Sequence, residues 1–417
     1  MSTKTIDASP TKELFIKTLV KDVSLEDAIL DLVDNTIDGY IRHDYSERKK
    51  VTLNISEEKF EIWDSCGGIS TEDAASEVFR FGVIKEKEKH SLGVYGIGLK
   101  RSVFKMGSYI VFESDDLKEF FRVIINLDEW QKSEKWELSF EEINKTTNNA
   151  FTRISISKLK EDVKTEFKSN RFINELDQRI GRTYFLFMKD NVDIFMNEKK
   201  INPLELDIGF SNTIEPAIKT FQSNGVSVRL TAGAHPDYRN PGWYIFCNKR
   251  LIISGDKTSL SGWGKRGVPT YHPKFNRFKG FAFFDSDDPR DLPWTTAKNG
   301  MDVSSSIFIK ALNEMQNLTQ QYTSFMSKAY PTDKEETIGK EILGKLETKS
   351  IFEFDQDQRF KSPEIPKAPQ WTTINYKKLK KDVEKLKKCM GKRFMSNREL
   401  GEKTFDYYRE MECPDDE

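Results

Sequence analysis

The chain is poor in cysteine and histidine, with four of each in 417 residues. Cys66, Cys247, Cys389 and Cys413 are scattered and form no CxxC pair, which excludes a disulfide framework and a cysteine-rich zinc site. No apolar run approaches the roughly 20 residues needed to span a bilayer. The first residues, "MSTKTIDASPTKELF", lack the apolar core of a secretory signal. With neither a span nor a signal, no membrane association and a cytoplasmic location are expected. A dominant charge sign is also missing: 66 Lys plus Arg stand against 67 Asp plus Glu, so no global bias announces a nucleic acid or a membrane. Internal repeats and low-complexity tracts are absent too. What is there, 37% hydrophobic and 32% charged residues, fits a soluble folded protein long enough for two or three domains.

Periodicity predicts a helix over residues 12 to 44, then two short alternating strands in "KVTLNISEEKFEIWDSCGGIS" with a turn at "SEEK". Another helix is expected at "TEDAASEVFRFG", followed by a charged loop, "VIKEKEKHSL", and by glycines opening onto a helix in "GVYGIGLKRSVFKMG". Strand texture from "SYIVFES" to "TRISISKL", a helix around 162 to 185 and a strand-turn-strand, "VDIFMNEKKINP", close a first unit near residue 205. Residues 206 to 335 form a second unit: "VSVRLTAG", "GWYIFCNKRLIIS" and "FKGFAFFDS" read as strands before the helix "SSSIFIKALNEMQNLTQQYTSFMSKAY". From 336 to 417 a Pro-interrupted linker leads to a lysine-rich helical tail.

Three motifs carry chemistry. In "LDLVDNTIDGY" (30–40), Asp31, Asn35 and Asp38 stand four and three residues apart, with Asp34 between them. On a helix that spacing puts three polar groups on one face, opposite an apolar face of Ile29, Leu32, Val33, Thr36 and Tyr40. Taken alone, the helix fits a solvated polar face as well as a binding face. In "DSCGG" (64–68), Asp64 ends a strand beside glycines, where a carboxylate can accept a ligand amine and the backbone can approach closely. In "GVYGIGLKRS", Gly93, Gly96 and Gly98 precede Lys100, and glycines entering a helix expose N–H groups suited to phosphates. A Rossmann fingerprint is excluded, because no ribose-binding acid follows on a strand and the preceding segment is a charged loop.

In this order and spacing, the motifs over residues 12 to 205 resemble the GHKL ATPase superfamily of gyrase-type topoisomerases, heat-shock chaperone ATPases, histidine kinases, MutL and MORC proteins. The resemblance implies an α+β fold with a Bergerat-type α/β sandwich, binding ATP with Mg²⁺. By resemblance, Asn35 would hold Mg²⁺ on the triphosphate and Asp31 would polarise the attacking water. Asp64, supported by Thr152 in "FTRISIS", would accept the adenine amine. Gly68, Gly93, Val94, Tyr95, Gly96, Ile97, Gly98, Leu99 and Lys100 would line the nucleotide, with 82 to 95 as its lid. Few protein oxygens on Mg²⁺ is normal for that ion.

Two positions depart from the family pattern. Asp31 stands where Glu is usual, about 1.5 Å shorter in reach, so slow hydrolysis is expected. Cys66 replaces the first glycine of DxGxG, which is tolerable where the backbone avoids positive φ. The second unit resembles the transducer domain of MutL-like and MORC-like members. That likeness makes Lys298 in "LPWTTAKNGMD" the γ-phosphate lysine and matches "GWYIFCNKRLI" to an NxR strand.

The resemblance implies an ATP-driven clamp that dimerises when ATP closes the lid, in DNA-linked work such as genome maintenance or antiviral defence. A non-hydrolysing nucleotide-sensing scaffold is the alternative. A histidine kinase fits less well: His43, His90, His235 and His272 all follow Asp31, whereas kinases carry a phosphoacceptor histidine upstream. The basic helix at 376–393, with Leu379, Val383, Leu386 and Met390 on one face, offers a surface for DNA or a partner protein.

Overall fold

The computed structural model describes residues 11–43, 47–80, 89–93, 96–144, 148–330, 337–354, 356–365, 372–391 and 394–413. The helix expected over 12 to 44 is two helices, α1 (Lys12–Lys21) and α2 (Leu25–His43). They part at Ser24, whose Oγ accepts the Asp27 N–H at 3.0 Å, a hydroxyl acting as helix cap. Strands β1 (Lys49–Ile55) and β2 (Lys59–Asp64) form the expected hairpin. Helix α3 (Thr71–Asp73) runs into a π-helical turn over Ala74–Val78. Next come α4 (Gly98–Met106), β3 (Gly107–Asp115), β4 (Phe120–Asn126), α5 (Leu127–Trp130), β5 (Phe140–Glu142) and β6 (Phe151–Leu159). The single helix expected around 162 to 185 is three, α6 (Glu161–Lys168), α7 (Asn170–Thr183) and α8 (Phe185–Asp190). Ser169 leaves helical geometry and its Oγ accepts the Phe172 N–H, starting α7. Strands β7 (Val192–Met196) and β8 (Lys199–Lys200) follow.

The first sheet runs β5-β4-β3-β6-β2-β1-β7-β8. It is antiparallel except where β1 meets β7. Alternate residues such as Val51, Leu53, Phe60, Ile62, Ile154 and Ile156 are buried and point to one face, against which α2 and α4 pack. The arrangement agrees with the expected α+β class.

The second sheet is built from β10 (Ala217–Ser223), β11 (Val226–Ala234), β12 (Gly242–Cys247), β13 (Arg250–Asp256) and β14 (Phe278–Asp285), ordered β10-β11-β14-β12-β13, after a short β9 (Asp207–Phe210). "GWYIFCNKRLIIS", expected as one strand, is a hairpin. Asn248 and Lys249 have φ of 44° and 65°, the two left-handed residues that a tight hairpin turn requires. Helix α9 (Ser306–Ala329) covers one face, where the Trp243 Nε1–H donates to Thr319 Oγ1 at 3.0 Å. Phe185, Tyr244, Phe246, Phe281, Phe283 and Ile351 pack on the other.

After α10 (Thr337–Gly344), β15 (Glu347–Ser350) pairs antiparallel with β9, and Lys361 ion-pairs with Glu215 at 2.7 Å. Residues Met1–Ile365 therefore form one compact unit holding both sheets, and Pro366–Glu417 form another. The larger unit ends at Ile365, inside the Pro-containing segment "KSPEIPKAPQ", because the strap before it covers apolar surface of the second sheet. The smaller unit contains α11 (Lys380–Cys389) and α12 (Asn397–Glu412), the latter capped by Ser396. Among the described residues no helix is long and apolar enough to cross a membrane.

Gly280 shows how tightly the second sheet is packed: a Cβ there would lie 2.5 Å from the buried Trp243 indole. Gly280→Ala is expected to cost about 1–3 kcal/mol by overpacking, read as a lower midpoint in chemical unfolding. An unchanged midpoint would mean that the indole moves aside freely.

Candidate active site

Helix α2 buries Ile29, Leu32, Val33 and Ile37 in the core, as its apolar spacing requires. Its other face carries four polar side chains with different surroundings. The Asp31 carboxylate is buried, and its Oδ2 accepts the Arg101 Nε–H at 2.7 Å and the Ser102 hydroxyl at 3.4 Å, both from α4. Asp38 accepts the Leu92 N–H at 2.5 Å and the Gly93 N–H at 2.8 Å, tying the glycine loop to the helix. Burial pushes the Asp38 carboxyl up, while Lys298 and those two N–H groups pull it back. Asn35 is exposed on the cleft wall.

Asp34 is the most enclosed of the four. Its Oδ1 accepts the Tyr184 hydroxyl and the Arg250 Nε–H, each at 2.7 Å, and its Oδ2 accepts the Lys298 ammonium at 2.7 Å. Burial pushes this carboxyl up, but the charges and hydrogen bonds of Arg250 and Lys298 outweigh it and hold it at about 2. Arg250 also donates to the Lys298 carbonyl oxygen at 2.9 Å. Lys298 sits in a tight loop with φ of 53°, closed by the Trp294–Met301 bridge.

At the end of β2, Asp64 lies opposite Thr152 of β6 in the sheet register. Its Oδ1 accepts the Cys66 N–H at 2.8 Å, and burial pushes its carboxyl up to about 7. Cys66 is absent from the residues with positive φ, whereas Gly67 and Gly68 have φ of 113° and 68°. A Cβ at Gly68 would sit 2.1 Å from the Asp115 carbonyl oxygen, so glycine is needed there both for conformation and for space. Thr152 Oγ1 meets Ser114 Oγ at 3.3 Å.

The glycine loop enters α4 through Gly96, with φ of 61°, and Ile97 gives no side-chain cap to the helix start. Those first N–H groups are the kind that accept an anion. The Lys100 ammonium donates to the carbonyl oxygens of Arg80 and Gly96, each at 2.6 Å. Val94, Tyr95 and residues 82–88 of the expected lid lie outside the described residues. Nearby, the His90 N–H donates to the Asp287 carbonyl oxygen at 3.2 Å.

Residues of α2, the Asp64 turn, the glycine loop and the Lys298 loop line one cleft of about 1210 Å³, its open mouth included, with Asp34, Tyr184 and Arg250 behind its wall. Asp31, Asn35, Asp64, Gly68, Gly93, Gly96, Ile97, Gly98, Leu99, Lys100, Thr152 and Lys298 all border it. Ile62, Ile69, Phe112 and Ile154 give it an apolar wall near Asp64. A desolvated carboxyl against that wall fits an amine donor on a flat apolar ring. Asn35 offers the cleft one neutral oxygen, and the described residues hold no cluster of three metal-ligating His, Cys, Asp or Glu side chains. That donor set suits an ion which keeps most of its ligands from phosphate and water.

Sequence reasoning gave no role to Asp34, Arg101, Tyr184 or Arg250. The signal for Asp34 was its spacing: Asp31, Asp34 and Asp38 stand three and four apart and so share one helix face, where three carboxylates require cations or N–H donors. Arg101 adjoins a motif residue, and Arg250 ends the "NKR" turn. Tyr184 gave no signal.

The fold is α+β, and the cleft lies between a helix face and a glycine loop. Residues 23–161 match the family model of histidine kinase-, DNA gyrase B- and HSP90-like ATPases. The matched segment contains α2, the Asp64 turn, the glycine loop and Thr152, and it supports the GHKL superfamily and ATP binding. No curated protein matches the chain.

The Asp34 cluster has a measurable signature. Asp34→Ala leaves the buried Arg250 guanidinium without its partner, at an expected cost of about 3–5 kcal/mol at pH 7. Since the folded carboxyl titrates below the ordinary Asp value, its contribution is complete above about pH 4 and lost as pH falls towards 2. The gap between wild type and variant in urea unfolding should narrow across that window. A gap that stays constant to pH 2 would assign the loss to packing alone.

Proposed function

We propose that the protein binds Mg-ATP in this cleft and hydrolyses it slowly, using closure of the nucleotide loop to drive association of two copies as a clamp. The observation that carries this reading is the convergence of three motifs and Lys298 on one cleft. Adenine lies against the apolar wall with its amine on Asp64, supported from the neighbouring strand by Thr152. The triphosphate runs towards the glycine loop and the start of α4, where Gly93 to Lys100 surround it. Asn35 would hold Mg²⁺ there, and the ion would supply charge neutralisation for the triphosphate.

In the reaction, a water oxygen attacks the γ-phosphorus while the bond to the β–γ bridging oxygen breaks and ADP departs. Asp31 takes the water proton. Its Oδ2 is occupied by Arg101 and Ser102, so the other oxygen faces the water. Arg101 fixes the carboxylate's direction but also competes for its electron density, which together with the short side chain favours slow turnover. Lys298 leaves Asp34 for the γ-phosphate, while Arg250 and Tyr184 continue to satisfy Asp34. The likeness to MutL-like and MORC-like ATPases extends the reading to DNA-linked work in genome maintenance or defence. A nucleotide-sensing scaffold without turnover is the second reading, favoured by the Asp31–Arg101 pair.

Asp64 gives the direct test of adenine binding. With its carboxyl at about 7, roughly half the molecules carry the proton at pH 7, and an amine donor pulls the group towards ionisation. ATP binding should then release up to about half a proton, seen as buffer-dependent calorimetric enthalpies in wild type but not in Asp64→Asn. The Asn variant should also bind about tenfold or more weakly, since its amide opposes the adenine amine. Equal affinity and equal buffer dependence would remove Asp64 from the nucleotide site.

Turnover separates the two readings. Asp31→Ala and Lys298→Ala should retain ATP binding and lose activity by a factor on the order of 10² or more, because both groups act on the transition state. Wild-type protein that binds ATP without releasing phosphate would favour the sensing scaffold. Variants that hydrolyse at the wild-type rate would assign the chemistry to other residues.

A further inference from the structure

The connection between β13 and β14 carries a charge pattern that the nucleotide cleft does not use. Residues 257–279 contain six Lys or Arg and no Asp or Glu, in a chain whose formal net charge is −1. The segment is folded around Trp263, which is buried against Tyr271, Phe275 and Phe278 at ring distances of 5.2, 5.7 and 5.3 Å. Its backbone is cross-tied: the Gly264 N–H donates to the Pro269 carbonyl oxygen at 3.1 Å and the Val268 N–H to that of Lys265 at 2.9 Å. Arg266 has φ of 47° between Gly264 and Gly267, which are also left-handed. The result is a fixed knot rather than a floppy arm.

Lys257, Lys265, Arg266 and Lys274 are exposed on this knot and form no ion pair among the described residues. The Arg266 guanidinium donates to the neutral Asn313 side chain, which holds it without cancelling its charge. Lys257 lies over the Tyr271 ring and Lys274 over that of Phe275, so their stems are supported while their charges stay uncompensated. The other two cations are turned inward: Arg277 donates to the Pro236 carbonyl oxygen at 2.6 Å, and Lys279 is half-buried facing Asp207 and Asp237. Four like charges held together repel one another, and a polyanion relieves that repulsion.

We infer that this knot docks the phosphodiester backbone of a nucleic-acid duplex. The rings of the knot face its core, and no large hydrophobic side chain between Tyr238 and Val303 is exposed. The knot's own residues therefore offer no free aromatic platform on which single strands stack, no apolar wedge that enters a lipid surface and no apolar anchor of the kind found at the centre of most protein interfaces. What remains is Lys and Arg with the exposed hydroxyls of Thr258 and Thr270, the groups that contact phosphates without reading sequence.

The test uses the full chain and a fluorescent 30-base-pair DNA duplex, titrated by anisotropy between about 50 and 200 mM salt. Sequence-independent binding is expected, with a slope of log affinity against log salt of about −3 to −4 for four phosphate contacts. The triple variant Lys257→Gln, Lys265→Gln, Lys274→Gln should reduce that slope by about 3 with an unchanged unfolding midpoint. A control carrying Lys380→Gln, Lys381→Gln and Lys385→Gln in α11 should keep the wild-type slope. Several results overturn the inference: no duplex binding at 50 mM salt, a triple variant that binds like wild type, or loss of binding in the α11 control alone. Tighter binding to single strands or to phosphatidylserine vesicles than to the duplex overturns it as well.

Discussion

A carboxylate with one part in a hundred of its surface exposed must be matched by charge, and Asp34 is matched from two distant parts of the chain. Arg250 begins a strand of the second sheet, and Lys298 sits in a loop beyond it, yet both end on a helix of the first layer. An ion cluster of this kind adds little net stability, since desolvation offsets most of its attraction. It does fix position: without Asp34 the buried Arg250 guanidinium has no carboxylate partner, so placements of the second sheet that separate Arg250 from α2 are penalised. The two sheets share one compact unit, and this cluster is the polar part of what registers them.

The same helix face organises the rest of the cleft. Asp31 fastens α4 through Arg101 and Ser102, and Asp38 fastens the glycine loop through two backbone N–H groups. Three acids within eight residues thus hold a helix, a loop and a second sheet. On the proposed reading this economy has a consequence for function. A ligand that draws on any one attachment changes the balance at α2, and the others lie within one helical turn or two of it.

Much of this was legible in the sequence. Alternation gave β1, β2, β6 and β11, and apolar spacing gave the buried face of α2. The glycine motif pointed to the loop before α4. Boundaries were less visible wherever a single polar residue decided them: Ser24 and Ser169 each stop a helix by capping the next one, inside runs whose hydrophobic period continues across the break. The hairpin at Asn248-Lys249 hid for a related reason, since it lacks the glycine that usually announces two left-handed residues. Around the cleft, the motifs were recognisable, whereas the contacts of Arg101, Tyr184 and Arg250 with the acids of α2 were not. Their importance comes from a meeting of segments up to 216 residues apart, and no local pattern records that distance.

The composition of the Asp34 cluster also bears on how the cleft would respond to a triphosphate. One carboxylate faces two cations, so the cluster carries one positive charge more than Asp34 requires. Arg250 is the better-fixed of the two: it is more deeply buried, and besides its bond to Asp34 Oδ1 it holds the Lys298 carbonyl oxygen. Lys298 is a flexible point charge on the cleft side, attached to Asp34 by one contact, and an ammonium can turn towards a new anion with little rearrangement. When it does so, Asp34 keeps a guanidinium and a hydroxyl, and the buried charge stays balanced one to one. The proposed exchange of Lys298 from carboxylate to phosphate therefore costs the fold little, which is the condition for a lysine to act on a ligand without unfastening the sheet that carries it.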